Sequence, residues 1–447
     1  MSKQDRIQPR TLKGFRDYPP ELAAPREAII DAARRVYRSF GYAPIDTPAL
    51  EYLEILTGKG SEETDKQLYR FTDLGGRDVG MRFDLTVPLA RFAAQYHQHL
   101  GLPFKRYHIA PVWRGENPQK GRYREFVQAD FDTVGATGVA SDIETIVVMH
   151  TLVRECGFDR FAIRINHRGV LDGVLEKAGL ADRSAAVLRA LDKLAKIGPE
   201  KVAAELTQTA DASTEQIDAV LGFASLEGDN ATLLDQIDKL VAGSEPGEAG
   251  ATRLRETLAG VKASGIHASG DAAVQIDPSI ARGLDYYTGL VLETFLTDLP
   301  GIGSVASGGR YDNLAGLYTS QQLPGIGASL GVDRLLAAKE ELGATAEAKT
   351  PADVLVVYFA ADRLHDYLRI ASQLRKAGVA TELYPEPKKL GKQLQHANKR
   401  GFRLAVIAGP DELERGECQI KNLATSESTT VPLADVAPSV CRSLGNS

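Results

Sequence analysis

The chain has 447 residues, of which 43% are hydrophobic and 25% charged, with a formal net charge of −6. That length exceeds one ordinary domain, so about two or three are expected, and the composition is that of a soluble globular protein. The acidic balance excludes indiscriminate coating of nucleic acid but leaves room for a local basic patch.

The first residues, Met-Ser-Lys-Gln-Asp-Arg, carry no apolar leader core, and no apolar run reaches membrane-spanning length. Residues 11–20 read as an extended segment before a helix over 25–40, whose apolar stripe is Ile29, Ile30, Ala33, Val36, Tyr37 and Phe40. Gly41 ends it. Residues 42–48 are strand-like, with Pro44 and Pro48 marking an edge or bulge; a covered edge and a subunit contact both fit. Strand patterns follow at 69–73 and 81–88. Arg82, Asp84 and Thr86 alternate onto one face, suited to a polar cleft or simply to solvent. Pro88 and the apolar residues 89–96 predict a helix across the base of that cleft.

Residues 102–135 form the centre of the reading. Two strands, 105–114 and 124–132, are joined by a polar loop closed by Gly121. Arg114 and Glu116 stand at one end of the loop, and Gln128, Asp130 and Asp132 at the other. The last three are spaced two apart and share a face. Buried polar groups need partners or water, so three together on a core strand imply a use. Lys120, Arg122 and Arg124 in the loop point to a polyanionic partner.

A helix is predicted over 139–156, with Asp142 and Glu144 near its positive end, and a strand over 161–166. His150 has no carboxylate or nucleophile spaced to serve it and is read as a packing or surface residue. Residues 169–263 turn rich in Ala, Leu, Lys and Glu with helical periodicity. This is read as an inserted helical module, suited to cover a large partner. Strands return at 273–277 and 291–296, separated by Arg282-Gly-Leu-Asp-Tyr-Tyr-Thr-Gly289, a polar and aromatic mixture unusual at a strand entrance. The small residues of 304–312 let a ligand approach the backbone. Residues 325–334 match a dinucleotide fingerprint only loosely and run into a helix bearing Asp333 and Arg334, so a nicotinamide fold is disfavoured.

After a linker at 341–352, strands at 354–359, 380–384, 404–408 and 419–422 alternate with helices at 362–376 and 390–399. Lys388, Lys389, Lys392, Lys399, Arg400 and Arg403 have no acid among them, fitting either a solvated face or an RNA contact. The three cysteines, Cys156, Cys418 and Cys441, match neither metal nor disulfide spacing, which suits a reducing compartment. A cytoplasmic protein with no membrane partner is expected.

Taken together, these stretches resemble the histidyl-tRNA synthetases of class II. Residues 42–56 are similar to motif 1 of that class, which lies in a dimer interface. Residues 104–135, with Trp-Arg-Gly-Glu-Asn-Pro-Gln-Lys-Gly-Arg-Tyr-Arg-Glu-Phe, resemble motif 2, and 325–334 resemble motif 3. Residues 282–287 and 307–312 resemble the two histidine-specific signatures, which are the most specific of these matches. The resemblance implies an α+β fold: an antiparallel sheet flanked by helices, with catalytic parts at 1–168 and 264–340, the helical insertion at 169–263 and an α/β anticodon-binding domain at 353–447.

It also implies site roles. Arg114 and Arg282 would bind the ATP α-phosphate, Arg122 the β- and γ-phosphates, Glu116 the adenine amino group, and Arg334 the adenine face or γ-phosphate. Asp84, Thr86 and Gln128 would hold the α-ammonium and carboxylate of histidine. Asp132 and Tyr287 would bracket the imidazole, with Tyr286 beside them. Many bacterial members carry glutamate where this chain has Asp84 and Asp132; the shorter acids match another branch of the family and keep the charge. Asn117, Gln119, Lys120 and Arg124 would face the tRNA acceptor stem, and Lys388, Lys389 and Lys392 the tRNA elsewhere. Mg²⁺ would come with ATP, no structural metal is expected, and the assembly would be a homodimer. The competing expectation is the regulatory paralogue of ATP phosphoribosyltransferase, which lacks the anticodon domain and loses key arginines.

Overall fold

The computed structural model describes residues 7–57, 67–119, 121–281, 286–344 and 349–445. Two units separate, one comprising Met1–Asp17 with Arg26–Gly343 and the other Tyr18–Pro25 with Ala344–Ser447. In the larger unit the strands run β1 (Ala43–Pro44), β2 (Leu50–Tyr52), β3 (Arg70–Thr72), β4 (Asp78–Met81), β5 (Phe104–Trp113), β6 (Glu125–Val134), β7 (Phe161–His167), β8 (Ala273–Ile276), β9 (Leu290–Leu296), β10 (Ser304–Tyr311) and β11 (Gly325–Gly331). Eight of them form one sheet in the order β1-β5-β6-β11-β10-β9-β7-β8. Its pairings are antiparallel except at the two ends, where β1 lies parallel to β5 and β8 to β7. A second sheet, β2-β4-β3, is antiparallel throughout.

Strand alternation assigns the two faces of the large sheet. On one, Phe131 of β6 and Tyr107 of β5 stack against Tyr37 of the Pro20–Ser39 helix, with ring centroids 5.2 and 5.5 Å away. The Tyr37 hydroxyl donates to the Ala129 carbonyl at 2.7 Å, so this buried phenol is satisfied. The neighbouring even-numbered residues, Gln128, Asp130 and Asp132, therefore face the other way. A one-residue slip would exchange the aromatic core for the carboxylates, which makes this register costly to change.

The reading of 81–88 as a strand needs correction. Pairing stops at Met81, and Thr86 already opens the Thr86–Leu100 helix. Arg82 turns away from the cleft and is buried, donating to the Thr47 carbonyl at 2.6 Å and the Pro111 carbonyl at 3.0 Å. Strand alternation thus misassigned it. Asp142 stands in the first turn of its helix, as expected. It does more than suit a helix terminus: fully buried in the Val139–Glu155 helix, it holds Arg310 of β10 at 2.5 Å and Arg253 of the Glu245–Ala263 helix at 2.6 Å. Through this carboxylate the last helix of the inserted region is pinned to the sheet.

The smaller unit holds β12 (Val354–Val356), β13 (Thr381–Leu383), β14 (Leu404–Ile407), β15 (Glu417–Asn422) and β16 (Ser428–Pro432), in the order β13-β12-β14-β15-β16. The first three are mutually parallel, with the two inner strands β12 and β14 carrying continuous apolar runs, and the last two are antiparallel. Tyr367, Ile370 and Leu374 of one helix and Val436 and Val440 of another pack on the sheet through Val354, Val356, Leu404 and Val406. Strand β16 and the Val436–Leu444 helix went unread in the sequence. The strand is an almost wholly exposed edge without apolar alternation.

Candidate active site

The floor of the site is a set of cross-strand rows. Arg106, Asp132 and Gly327 are direct neighbours on β5, β6 and β11. The next row carries His108, Asp130, Ser329, Ser307 and Glu293 across five strands. Asp132 is held at both oxygens: Arg106 Nη2 lies 2.6 Å from one, and the Tyr311 hydroxyl donates to the other. Each carboxylate oxygen has a second lone pair, so Asp132 can still accept from a ligand. Gly327 is required here, because a Cβ would collide with the Asp132 carboxylate and the Phe131 carbonyl.

Above this floor opens a cavity of about 1570 Å³. Asp84 enters from the turn before the Thr86–Leu100 helix, where it accepts the Val87 amide at 3.0 Å, and Thr86 follows it. Tyr286 and Tyr287 line the opposite part with rings 4.6 Å apart; Tyr286 meets Tyr311 edge-on at 6.3 Å. Arg114 sits at the end of β5, its Nε donating to the Phe83 carbonyl at 2.9 Å and its guanidinium 5.1 Å above the Phe126 ring. Glu116 lies 4.0 Å from it. Arg122 borders the same space. Arg334 opens the Val332–Glu341 helix, whose first turn is fastened by Asp333 to the Val127 amide at 2.7 Å and to Arg26 at 2.9 Å. Arg334 itself donates to the Ser304 carbonyl.

The electrostatics divide the cavity. Burial pushes Arg334 down to about 10, and the positive charges of Arg122 and Arg114 push the same way. It stays charged near neutrality, so three guanidiniums share one side, a region built for a polyanion. On the other side, burial raises Asp84, Asp130 and Asp132, with Asp130 reaching about 7; Arg106 opposes all three shifts. Acids grouped around one buried cation form a pocket that favours a cationic or hydrogen-bond-donating ligand.

Ten residues given a site role by the resemblance, Asp84, Thr86, Arg114, Glu116, Arg122, Gln128, Asp132, Tyr286, Tyr287 and Arg334, line this one cavity, as does Asp130. Arg282 and Lys120 lie outside the described residues. Asn117 and Gln119 are exposed on the β5–β6 loop, which closes through paired backbone hydrogen bonds between Gln119 and Arg122 around Gly121, at φ +71. Arg124 is not displayed as expected: its guanidinium donates to the Glu116 carbonyl at 3.1 Å and reaches the Lys13 carbonyl, bracing the loop from within. Lys388, Lys389 and Lys392 are exposed in the smaller unit, with Lys388 paired to Glu386 at 2.8 Å. Sequence reasoning missed Arg106, which follows Lys105 in its strand, and gave no role to Tyr311, although it lies inside the 307–312 signature.

The family model described as histidyl-tRNA synthetase matches residues 14–335, and that described as anticodon binding domain matches residues 353–441. The chain belongs to the histidyl-tRNA synthetase family. A histidine–tRNA ligase of Rhodopirellula baltica is 59% identical over 97% of both chains, and one of Treponema denticola is 43% identical over 98% of both. The crystal structure of histidyl-tRNA synthetase from Nostoc sp. PCC 7120 superposes with a TM-score of 0.87 at 33% identity, covering 98% of this chain and all of that one. The α+β fold is thus the class II one, followed by an anticodon-binding domain. The protein is a histidine–tRNA ligase, charging tRNA(His) through histidyl-adenylate with ATP as its Mg²⁺ complex. The regulatory alternative gives way to these matches. A Bacillus halodurans chain described as an ATP phosphoribosyltransferase regulatory subunit/histidyl-tRNA synthetase shares the fold, with a TM-score of 0.73 at 22% identity.

Proposed function

We propose that the synthetase reaction runs in the cavity, with Arg114, Glu116, Arg122 and Arg334 holding ATP and Asp84, Thr86, Gln128, Asp132, Tyr286 and Tyr287 holding histidine. The observation that carries this reading is the convergence of three guanidiniums and a carboxylate-rich pocket on one space. Arg282 is assigned to the α-phosphate on the resemblance alone. The histidine carboxylate attacks the α-phosphorus, a new O–P bond forms, and pyrophosphate leaves with the electrons of the broken bond. Guanidiniums offset the negative charge that builds on the phosphoryl oxygens, so no protein nucleophile is needed. A terminal ribose hydroxyl of the tRNA then attacks the acyl carbon and AMP departs.

Among the described residues no group of three or more His, Cys, Asp or Glu side chains is arranged to hold a metal. Mg²⁺ brought with ATP would supply charge neutralisation at the phosphates. Asp132 and Tyr287 select imidazole by partnering its two nitrogens; a side chain without them leaves buried groups unpaired. The exposed Asn117 and Gln119, together with Lys120, face the acceptor stem. Lys388, Lys389 and Lys392 contact tRNA from the anticodon-binding domain, and Arg124 supports the loop from behind.

The homodimer would form at the β2-β4-β3 sheet. Leu50, Tyr52 and Phe71 are each about half exposed there, and Leu74 is fully so. Such an apolar patch suits a second copy. No described helix is long and apolar enough to cross a membrane, and action on tRNA suits a cytoplasmic enzyme.

The test is histidine-dependent ATP–pyrophosphate exchange. Arg114→Ala should lower kcat by about 10²–10³-fold, the scale of losing one charge-stabilising donor, while calorimetric binding of histidine persists. Unchanged exchange would remove Arg114 from the assignment. Triple alanine substitution of Lys388, Lys389 and Lys392 should raise KM for tRNA without touching exchange, and Phe71→Glu should shift sedimentation toward the monomer.

A further inference from the structure

Residues 12–16 take no part in the proposed ligand contacts, yet they grip the β5–β6 loop at two points. The backbone turns at Gly14, with φ +87°, and the Gly14 carbonyl accepts the Arg124 amide at 2.8 Å. A Cβ on Gly14 would press into the Arg124 side chain, so glycine suits both the turn and the close approach. Two residues on, the Arg16 guanidinium donates to the Tyr123 hydroxyl at 2.8 Å. It also pairs with both carboxylate oxygens of Glu340, at 2.8 and 3.2 Å. Tyr123 belongs to the loop, and Glu340 to the last turn of the Val332–Glu341 helix. Arg16 therefore ties the loop to the helix that carries Arg334.

The loop meets the same helix on the other side of Arg122. A Cβ at Gly121 would stand 3.4 Å from Ala337 Cβ and 3.7 Å from Arg334 Cγ. Arg334 and Ala337, like Ala337 and Glu340, are three residues apart and so are neighbours on the helix surface. Arg122 is thus bracketed: Gly121 before it lies against the helix, and Tyr123 after it is fastened through Arg16 to Glu340. The bracketing opposes a repulsion. Arg122 and Arg334 border one cavity, and the positive charge of the first depresses the proton affinity of the second. Like charges at the tip of a hairpin push the loop off the helix until an anion comes between them. A tether on the loop resists that push.

We propose that Arg16 is a positioning residue for ATP, anchored on Glu340 and Tyr123, which holds the loop down on the helix so that Arg122 and Arg334 stand together before the polyphosphate arrives. This rests on the reading of Arg122 and Arg334 as ATP contacts. Neither Arg16 nor Glu340 lines the cavity, so their effect reaches the nucleotide through the loop. The gain is preorganisation, because a loop ordered in advance need not be ordered on binding.

The test is pyrophosphate exchange with Arg16→Ala and Glu340→Ala, beside Tyr123→Phe, which removes only the hydroxyl, and Arg122→Ala. Arg16→Ala and Glu340→Ala should each raise KM for ATP about three- to tenfold, the scale of one net hydrogen bond, and Tyr123→Phe should shift it the same way. KM for histidine should stay within about twofold, as should the inhibition constant of AMP, which lacks the phosphates assigned to Arg122. In an Arg122→Ala background, Arg16→Ala should add less than about twofold. If Arg122→Ala raises KM for ATP while the Arg16, Glu340 and Tyr123 variants do not, the tether is wrong and the phosphate contact stands. If Arg122→Ala has no effect, the contact itself is wrong and the tether falls with it. Equal weakening of ATP, AMP and histidine would reduce Arg16 to scaffolding, and slower tRNA charging with exchange unchanged would move its role to the acceptor stem. Either result overturns the proposal.

Discussion

Arg106 and Asp132 form an ion pair of 2.6 Å beneath the cavity, with side-chain exposures of 0% and 4%. Burial raises the Asp132 carboxyl, and Arg106 together with the Tyr311 hydroxyl pulls it back toward ionisation. The pair is not fully compensated, because Arg106 Nε and Nη1 have no hydrogen-bond partner among the described residues.

Arg106→Met should therefore strand a buried carboxylate, costing about 3–5 kcal/mol in denaturant unfolding, and raise KM for histidine as Asp132 takes up a proton. Adding Asp132→Asn should restore much of the stability without restoring affinity. Separate measurement of the two properties checks this; full recovery of both would show that the pair is only a scaffold.

Asp142 bridges Arg310 and Arg253 with nothing but protein around it. Asp142→Asn keeps the shape and removes the charge, leaving two arginines facing an amide. The expected result is a loss of about 3–5 kcal/mol and faster proteolytic nicking within residues 169–263. An unchanged cleavage pattern would mean that packing of the Glu245–Ala263 helix suffices to seat the insertion.

Acid should destabilise the protein well above the pH of about 4 at which ordinary carboxylates titrate. Burial holds both His108 and His167 at about 4, below the usual value near 6.5. Below about pH 6.5 the unfolded chain takes up protons that the folded chain refuses, so stability falls as pH drops toward 4. Each histidine contributes about 2–3 kcal/mol to that loss by linkage. His167 accepts the Gly169 amide at the start of the Arg168–Lys177 helix. His167→Asn keeps such a cap and removes the titration. Unfolding midpoints at pH 7.5 and 5 should then differ less for the variant than for the parent.

Histidine affinity should also depend on pH, with two groups contributing. The substrate imidazole titrates near 6.5 and, once protonated, cannot accept from a tyrosine hydroxyl. Asp130, raised by burial to about 7 against the opposing charge of Arg106, becomes neutral over the same range. Both effects raise KM for histidine as pH falls from about 7.5 to 5.5. Asp130→Asn should leave a shallower rise from the substrate alone. A profile flat across this window, measured where the protein stays folded, would contradict both assignments.

Much of this protein is written locally. The alternation of 104–134 predicted the central hairpin and put Gln128, Asp130 and Asp132 on one face, because a strand has only two faces and the aromatic residues claim the other. The alternation of strands and helices after 352 predicted the α/β arrangement of the smaller unit. The signatures identified the family, since their residue types are tied to the chemistry. What the sequence could not supply is every relation between strands distant along the chain. Arg106 gains meaning only from the register that sets it opposite Asp132, and Asp142 only from two arginines 111 and 168 residues away. Arg82 was misplaced for the converse reason: alternation suggested a cleft, but pairing had already ended at Met81. Periodicity reports which face a side chain takes within its own element; only the assembled sheet decides what stands opposite, and burial and charge act between those opposed groups.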